Sequence, residues 1–420
     1  MIMVDRIVAV HAHEILDSRG NPTLSTTVIL KSGARGVAAV PSGASTGSHE
    51  AHELRDGDQK RYRGLGVLKA VKNTNSSLAL VTIGLDPFKQ RELDDQLRIA
   101  DGTPHKSKLG ANAILGISLA AAVAAAKSAG IPLYRHLRQI FAPTLRGYKL
   151  PTPLLNVFNG GRHADTNLDI QEFLVIPHNF STFAKRLQVG TEIYHTLGEI
   201  LHADGLDTDV GNEGGYAPRI GASEKVLEYL VKAIKKSGYS PKSVGIGLDV
   251  AASEFYDERQ EKYLMTTDRR RYTAPQMIEL FISWQKKYPL ISIEDGLSED
   301  AWSDWQSLTR RLGGDLMLVG DDLFVTQADR LQRGIELGVG NAVLIKPNQV
   351  GTLSETMDTI LMAQANRYKV IISHRSGETT DTFIADLAVA INAQYIKSGA
   401  PARSERLCKY NRLLEIEEEL

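Results

Sequence analysis

Short apolar runs that end on a polar or charged side chain recur along the second half of the chain. Such strands and their terminal residues are IGLD on Asp249, ISIE on Glu294, LMLVGD on Asp321, AVLIK on Lys346, VIISHRS on His374, Arg375 and Ser376, and YIK on Lys397. Runs of this length, rich in β-branched residues, are typical of parallel strands that are buried on both faces. The strand ends lie about 23 to 45 residues apart, which leaves room for one helix between neighbours. We therefore predict βα units that close into a barrel.

The first third of the chain has a different pattern. Residues 23–30 alternate between the two faces of a strand, and residues 67–80 and 111–128 have the composition of helices. This mixture predicts an α+β domain. Residues 139–153 contain three prolines and a glycine with little periodicity, as in a linker. We expect an α+β capping domain at residues 1–140 and a barrel domain at residues 141–420.

Composition narrows the class of protein. The chain of 420 residues is 42% hydrophobic and 24% charged, with a net charge of -1, so it has no global field that would attract nucleic acid or an anionic membrane. The single cysteine, Cys408, excludes an intrachain disulfide and favours a reducing compartment. Asp5 and Arg6 interrupt the first apolar stretch, so we expect no secretory signal there. Residues 110–126 are uncharged but short for a membrane span, which favours a buried helix and a cytoplasmic protein.

The charged strand ends predict one shared site. A single lysine such as Lys346 is more often a surface residue whose stem packs while its ammonium stays in water. In a barrel, however, the carboxyl ends of the strands meet at one face, and charged groups are seldom buried there unless they are paired. Asp249, Glu294 and Asp321 form an all-oxygen set that suits Mg²⁺. Salt bridges from these carboxylates to lysines are an alternative that is compatible with metal binding. A lysine that flanks a bound metal ion would have its pKa lowered by the nearby positive charge and could act as a base.

Three further segments offer polar groups on glycine-rich loops. The stretch PSGASTG, residues 41–47, is small and flexible enough to be a lid around Ser42. The stretch NGGRHADTNLDIQEF, residues 159–173, presents His163 on a loop and then Gln171 and Glu172 beside a strand. The stretch GNEGGYAP, residues 211–218, places Glu213 before two glycines. An ordinary turn and a capping carboxylate remain alternative interpretations for the first and third segments.

These stretches together resemble the enolase family over nearly the whole chain. The resemblance is carried by EILDSRGNPT, PSGASTG, LGANAILGISLA, NGGRH, NEGGYAP, SIEDG, GDDLFVT, LIKPNQVGTLSET, SHRSGET and IKSGAPARSER. It implies an α/β protein in which a capping α+β domain precedes a (β/α)8-type barrel with an irregular ββαα start. It also implies Mg²⁺-dependent, reversible dehydration of 2-phosphoglycerate to phosphoenolpyruvate. Two Mg²⁺ ions per site are implied, the second arriving with substrate, in a cytoplasmic homodimer or octamer.

The resemblance also implies a role for each matching residue. Lys346 would be the base that removes the α-proton, and Glu213 the general acid for the departing hydroxide, with Glu172 beside it and His374 in the same catalytic set. The remaining residues would bind metal or substrate: Asp249, Glu294 and Asp321 on the first Mg²⁺, Ser42 on the second, Lys397 at the substrate carboxylate, Arg375 and Ser376 at the phosphate, and Gln171 and His163 elsewhere in the substrate site.

The sequence departs from the family pattern at two places. Asn212 stands where the family usually has Asp, directly before Glu213, and loss of that charge should make Glu213 easier to ionise. Around His13, Ser25 and Glu415, an ionic contact that joins subunits in the family is missing. An exposed ion pair contributes only about 0 to 1 kcal/mol, so a dimer is still expected. A dehydratase of another acid in the same superfamily, or a non-catalytic binding protein, remain the alternative functions.

Overall fold

The computed structural model describes residues 5–43 and 47–420. Residues 44–46 of the expected lid lie outside the described residues. The rest of the chain forms a small sheet with helices, followed by a barrel.

The first part of the chain is an α+β unit, as its sequence pattern predicts. Its antiparallel strands are β1 (Ile7–Leu16), β2 (Pro22–Leu30) and β3 (Arg35–Ala39). Its helices are α1 (Leu68–Asn73), α2 (Ala79–Thr82), α3 (Gln90–Asp101), α4 (Ala111–Ser128) and α5 (Leu133–Phe141), with a π-helical turn at Thr74–Leu78 between α1 and α2. Helix α4 lies so close to the sheet that a Cβ on Gly36 would be 2.0 Å from the carbonyl oxygen of Ala120. A glycine is therefore required at this crossing.

Helix α4 contains the apolar segment that could suggest a membrane span. It is long and apolar enough by length and composition, but 83% of it is buried inside the fold. The expectation of a buried core helix is confirmed.

The second part of the chain is a closed barrel. In the described residues its strands are β4 (Thr152–Asn159), β5 (Glu172–Ile176), β6 (Gly245–Asp249), β10 (Leu290–Glu294), β11 (Met317–Gly320), β12 (Ala342–Ile345), β13 (Lys369–Ser373) and β14 (Tyr395–Lys397). A small sheet of β7 (Tyr256–Asp257), β8 (Lys262–Met265) and β9 (Arg270–Tyr272) follows β6. The helices are α6 (Phe183–Ala203), α7 (Ser223–Lys236), α8 (Ala274–Lys287), α9 (Trp302–Leu312), α10 (Ala328–Leu337), α11 (Leu353–Ala365), α12 (Phe383–Ala390) and α13 (Ser404–Glu419).

The barrel begins irregularly. Strands β4 and β5 are consecutive and antiparallel, helices α6 and α7 follow, and β5 is also antiparallel to β6. The other neighbours around the barrel are parallel. The ββαα start and the α/β fold class are therefore confirmed. Because β5 runs backwards, its first residue lies at the same end of the barrel as the last residues of its neighbours.

No helix or strand occupies residues 142–151, between α5 and β4. We propose, as the sequence suggests, that the domain boundary falls after residue 140, at the last residue of α5 and next to this stretch. The buried Arg138 of α5 nevertheless ties the two parts together, since it donates to the backbone carbonyl of Val389 at the end of α12, 3.0 Å away.

Candidate active site

Strand periodicity brings the charged residues to one mouth. Side chains of a strand alternate between its two faces. In β12, Ala342 and Leu344 pack inside the barrel, whereas Val343 and Ile345 pack outward against the surrounding core. Lys346 has the parity of the inward residues and follows them, so it lies at the mouth. Strands β6, β10, β11 and β14 place Asp249, Glu294, Asp321 and Lys397 there in the same way.

Two lysines bridge the carboxylates at this mouth. The Lys397 ammonium lies 2.9 Å from Asp249 Oδ2, 2.8 Å from Glu294 Oε1 and 3.4 Å from Glu172 Oε2. Lys346 donates to Asp321 Oδ2, and Gln349 Nε2 donates to Asp321 Oδ1 at 3.1 Å. These groups are buried except for Lys346, which is half-buried. The expected salt bridges are therefore present.

The carboxylates also fit a hard divalent cation. Glu294 Oε2 is buried and has no hydrogen-bond partner among the described residues. Burial, followed by the negative charge of Asp249, raises the pKa of Glu294 well above its ordinary value. Both features are costs that a bound cation would offset. An all-oxygen donor set is what Mg²⁺ prefers.

The ligand geometry differs from the expected trio in one respect. One group of carboxylate oxygens within 4.8 Å of one another belongs to Asp295, Asp321 and Asp322, whereas Asp249 and Glu294 contact Lys397. A second group of possible ligand atoms at this spacing belongs to His163, Glu172 and Glu213. Asp295 accepts from the backbone N–H groups of Asp321 and Asp322, at 3.0 and 2.7 Å, and so orients the loop that carries Asp321.

The pKa of Lys346 is raised, whereas a lowered pKa is expected beside a bound metal ion. Burial lowers the pKa of this lysine, but the adjoining Asp321 carboxylate outweighs burial, and the net pKa lies above the ordinary value. A sequence shows that cations are near but does not show which carboxylate contacts the ammonium. The pKa is raised in this arrangement because Lys346 is paired directly with Asp321, and the lowered pKa expected beside bound Mg²⁺ stays a prediction.

Opposite Lys346, a tight turn places Glu213 against β4. Tyr216, just past the turn, donates its N–H to the carbonyl of Val157 at 2.9 Å. A Cβ on Gly215 would lie 2.9 Å from Asn156 Oδ1 and 3.0 Å from the backbone of Phe158, so the second glycine permits this close approach. Glu213 Oε2 then accepts from Asn156 Nδ2 at 3.0 Å and lies 3.2 Å from His374 Nε2.

Glu213 and Glu172 form a buried pair whose pKa values are shifted in opposite directions. Burial raises the pKa of Glu213, but His163 and His374 outweigh burial and hold that pKa well below its usual value. Burial and the neighbouring Glu213 raise the pKa of Glu172 well above its usual value. His163 Nδ1 lies 3.3 Å from Glu172 and 3.5 Å from Glu213. In this arrangement, a proton shared by the pair is favoured on Glu172.

The loop after β13 supplies the groups expected at a phosphate. Arg375 is buried and donates from both terminal nitrogens to Glu50, at 2.8 and 3.2 Å. Ser376 Oγ accepts from Arg19 at 3.4 Å. Glu50 and Arg19 belong to the first part of the chain, so the N-terminal domain contributes charges directly beside the barrel mouth.

The contacts of Ser42 are with the N-terminal domain and with the loop after β13. Ser42 forms an isolated bridge with Gly377, its Oγ accepts from Arg55 at 2.8 Å, and this Oγ lies 3.2 Å from Glu53. Within the described residues, no hydrogen bond joins Ser42 to Asp249, Glu294 or Asp321. The proposed second metal contact of Ser42 therefore remains a prediction.

Most of the other predicted site residues share one cleft, whereas Glu294 and Asp321 do not line it and contact its lysines, Lys397 and Lys346. The cleft is lined by His163, Gln171, Glu172, Glu213, Asp249, Lys346, Ser373, His374, Arg375, Ser376 and Lys397. Gln171 Nε2 donates to Asp249 Oδ2 at 3.2 Å. Sequence reasoning missed Asn156, Glu50 and Arg406, which contact Glu213, Arg375 and His374 respectively. Asn156 has the inward parity of Leu154 in β4, so strand periodicity could have found it. No such signal marks Glu50, which lies in a loop, or Arg406, which lies in helix α13.

The fold and the site together define a barrel enzyme with its chemistry at the carboxyl ends of the strands. A ring of buried carboxylates, lysines and histidines is expensive to bury, and such clusters mark functional sites. Comparison with protein families gives the finer class. The chain belongs to the enolase family: the enolase N-terminal domain matches residues 7–137, and the enolase C-terminal TIM barrel domain matches residues 147–420. This membership supports a lyase of the dehydratase type.

Proposed function

We propose that the protein catalyses the Mg²⁺-dependent, reversible dehydration of 2-phosphoglycerate to phosphoenolpyruvate and water. One observation carries the proposal: a base and an acid face each other across the barrel mouth. Strands β12 and β5 are separated by four steps in either direction around the barrel, so Lys346 and Glu172 lie on opposite sides. Elimination of water needs a proton to leave carbon 2 and hydroxide to leave carbon 3. Groups on opposite sides can act on the two faces of one small substrate.

Lys346 is the group proposed to remove the α-proton. It follows a rigid buried strand, its backbone N–H donates to Thr326 Oγ1 at 2.9 Å, and it reaches the cleft from one direction. A base must be able to lose its own proton and accept one from the substrate, so the ion pair between Lys346 and Asp321 must weaken during the reaction. Thr326 in turn donates to Gln349, which fixes the strand end that carries Lys346.

The substrate carboxylate is proposed to lie near Lys397. Removing a proton beside a carboxylate places a second negative charge on that group, which is why the proton is so weakly acidic. Asp249, Glu294 and Asp321 would hold Mg²⁺, which would stabilise that added charge and weaken the attraction of these carboxylates for the two lysines. The positive charge of Lys397 acts in the same direction. Burial lowers the pKa of this lysine, but the carboxylates around it, Asp249 first among them, outweigh burial and leave that pKa well above the ordinary value.

On the other side, the Glu172–Glu213 pair is proposed to protonate the departing hydroxide. Two carboxylates in contact titrate as a unit. Glu213 would donate, and the proton that the environment favours on Glu172 would resupply it. His163 lies beside both carboxylates and is proposed to close the substrate site on this side.

Arg375 and Ser376 are proposed to bind the phosphate. The Glu50 carboxylate now occupies the face of the Arg375 guanidinium at which a phosphate would bind. Binding of phosphate would therefore exchange one bidentate oxyanion partner for another.

The first experiment follows the absorbance at 240 nm after 2-phosphoglycerate and Mg²⁺ are added. The signal is expected to rise for the wild type and to stay flat for Lys346→Ala and for wild type with EDTA. A silent wild-type protein that still binds Mg²⁺ would refute the substrate assignment. It would instead favour dehydration of another acid in the same superfamily, while loss of both properties would favour a non-catalytic role.

We also propose a cytoplasmic homo-oligomer, a dimer or an octamer, without nucleic-acid binding or membrane insertion. Glu415, at the position of the missing subunit contact, pairs within the chain with Arg412 at 3.1 Å. Size-exclusion chromatography with light scattering measures the assembly directly. A monomer at micromolar concentration would contradict this proposal.

A further inference from the structure

The most deeply buried arginine in the chain lies behind the proposed acid. Arg406, in the first turn of α13, has 0% exposure. Its side chain passes Gly399, where a Cβ would be 2.8 Å from Arg406 Cδ. The glycine therefore leaves the space through which the arginine reaches the barrel mouth.

Arg406 joins the two backbone segments that carry His374 and Glu213. Nη1 donates to the carbonyl of Arg375 at 2.6 Å, and Nη2 donates to the carbonyls of Ser376 and Asn212 at 2.5 and 3.0 Å. Arg375 directly follows His374, and Asn212 directly precedes Glu213. One planar group thus sets the separation between the histidine and the carboxylate.

The same guanidinium contacts the histidine ring. Arg406 Nη1 lies 2.7 Å from His374 Nδ1. A guanidinium can only donate hydrogen bonds, so Nδ1 has to be the acceptor. Burial and the Arg406 charge lower the pKa of His374 to about 4, while Glu213 opposes this shift. The ring is therefore neutral near pH 7, and its one proton has to be on Nε2.

We propose that Arg406 is a positioning residue that holds His374 as the Nε2–H tautomer, so that the ring donates a hydrogen bond to Glu213. This inference deepens the proposed function, because it assigns the oxygen of Glu213 that carries the transferable proton. Oε2 accepts from both Asn156 and His374. Oε1 is left as the oxygen for the proton, and it is also the oxygen that lies near His163.

The tautomer can be measured without any substrate. Nitrogen-15 histidine spectra of the metal-free wild-type protein at pH 7.5 report which ring nitrogen is protonated, and the spectrum of His374→Gln assigns the signal. We expect a bare Nδ1 and a protonated Nε2 for His374. A proton on Nδ1 would overturn the inference, whatever the protein does with 2-phosphoglycerate.

Variants separate positioning from packing. Arg406→Met keeps an unbranched stem but removes the donors, and Arg406→Lys keeps a donor and the charge. We expect Arg406→Met to populate the Nδ1–H tautomer and to lower kcat about 10- to 100-fold, with KM within about threefold of wild type. This magnitude is the one found for partners that orient metal-binding histidines. We expect Arg406→Lys to retain the Nε2–H tautomer and to recover most of the lost kcat.

Arg403→Met is the matched control. Arg403 lies three residues away and donates to Glu405 and to the Ser18 carbonyl, not to His374. The His374 tautomer signal and the kcat of Arg403→Met should match wild type.

Loss of kcat in Arg406→Met with an unchanged tautomer would overturn the inference, because that result means a packing role. If Arg406→Met fails to fold, the wild-type spectrum and the spectrum of Arg406→Lys still test which nitrogen of His374 is protonated. A correct tautomer in a wild-type protein inactive on 2-phosphoglycerate would refute the proposed function alone.

Discussion

The two sides of the barrel mouth differ in how completely their polar atoms are satisfied. On the side of β11 and β12, Lys346, Asp321 and Gln349 all have partners. On the side of β4 and β5, buried atoms of several groups have no hydrogen-bond partner among residues 5–43 and 47–420. They are Asn156 Oδ1, Asn159 Nδ2, His163 Nδ1, Gln171 Oε1 and Glu172 Oε2.

This contrast distinguishes scaffold from binding surface. A satisfied network holds its members in one geometry, whereas buried unsatisfied polar atoms cost free energy and call for an explanation. A ligand with hydroxyl and carboxylate groups would supply the missing partners. The β4–β5 side is therefore where we expect substrate to make most new hydrogen bonds, and the β11–β12 side is where the proposed base, Lys346, is already held in place.

The strongest test of this contrast removes one group from each side. We expect Lys346→Ala to lower kcat by about 10²–10⁴-fold, as is typical for loss of a general base, and also to abolish exchange of the α-proton with deuterated water. Glu213→Gln should lose dehydration to a similar extent but keep that exchange, because the base remains. Proton NMR of 2-phosphoglycerate in deuterated buffer measures both steps. Lys369→Ala, at the opposite end of the barrel, is the control. Loss of exchange in Glu213→Gln would break the division of roles.

A buried carboxylate outside the mouth sharpens the comparison. Asp94 of α3 accepts from the N–H and Oγ of Ser354 in α11, at 2.9 and 2.6 Å. Burial nevertheless raises the pKa of Asp94 to about 6. Folding therefore favours the protonated form of Asp94. The contribution of this group to the free energy of unfolding is full below about pH 4 and is lost as the pH rises through 6. The change is about 3 kcal/mol.

The matched variant for that effect is Asp94→Asn, which cannot ionise. Chemical denaturation at pH 4.5 and pH 7 should show that the free energy of unfolding falls more for wild type than for the variant over this interval. Equal pH dependence in the two proteins would mean that Asp94 is ionised in the folded state even at the lower pH.

Metal binding should depend on the unsatisfied oxygen of Glu294. Mg²⁺ at about 100 times its Kd should raise the free energy of unfolding by about 2.7 kcal/mol, because it binds only the folded state. We expect Glu294→Gln to lose most of this rise, since the substitution removes a charged ligand. Thermal unfolding with and without Mg²⁺ measures the effect, with Asp300→Asn as an exposed control. A full Mg²⁺ effect in Glu294→Gln would exclude Glu294 as a ligand.

The smallest expected effect concerns the residue before the acid. Asn212→Asp adds a negative charge near Glu213, which disfavours its ionised form and should move the pH optimum upward by roughly half a unit. The pH–rate profiles of both proteins are the measurement. An unchanged profile would show that the Asn212 side chain is electrostatically remote from Glu213.

Much of the site follows from strand parity, which is a property of sequence. An apolar run fixes a buried strand, and its last inward position fixes where Asp249, Glu294, Lys346 and Lys397 emerge. Strand parity locates Glu172 only once β5 is known to run in the reverse direction. The family resemblance predicted that reversal, and the hydrophobic pattern did not.

Pairing within the site was not accessible from sequence. The partner of Lys346 decides the direction of its pKa shift, and that partner depends on side-chain distances of a few ångströms. Arg406 reaches the mouth from a helix whose own periodicity gives no indication of such a contact. Glu50 is separated from Arg375 by more than 300 residues, so its placement requires the docking of the two domains.

The reversed strand β5 has a consequence for how this enzyme could change. Asn159 and Glu172 are register partners, so the segment between them leaves and re-enters the barrel at one rim, as in a hairpin. Insertions or deletions between His163 and Gln171, which both line the cleft, would leave the register of Glu172 unchanged. A protein engineer could therefore vary the length of this loop to alter access to the cleft, whereas Lys346 lies between β12 and a fixed 3₁₀ turn at Pro347–Gln349 and offers no such freedom.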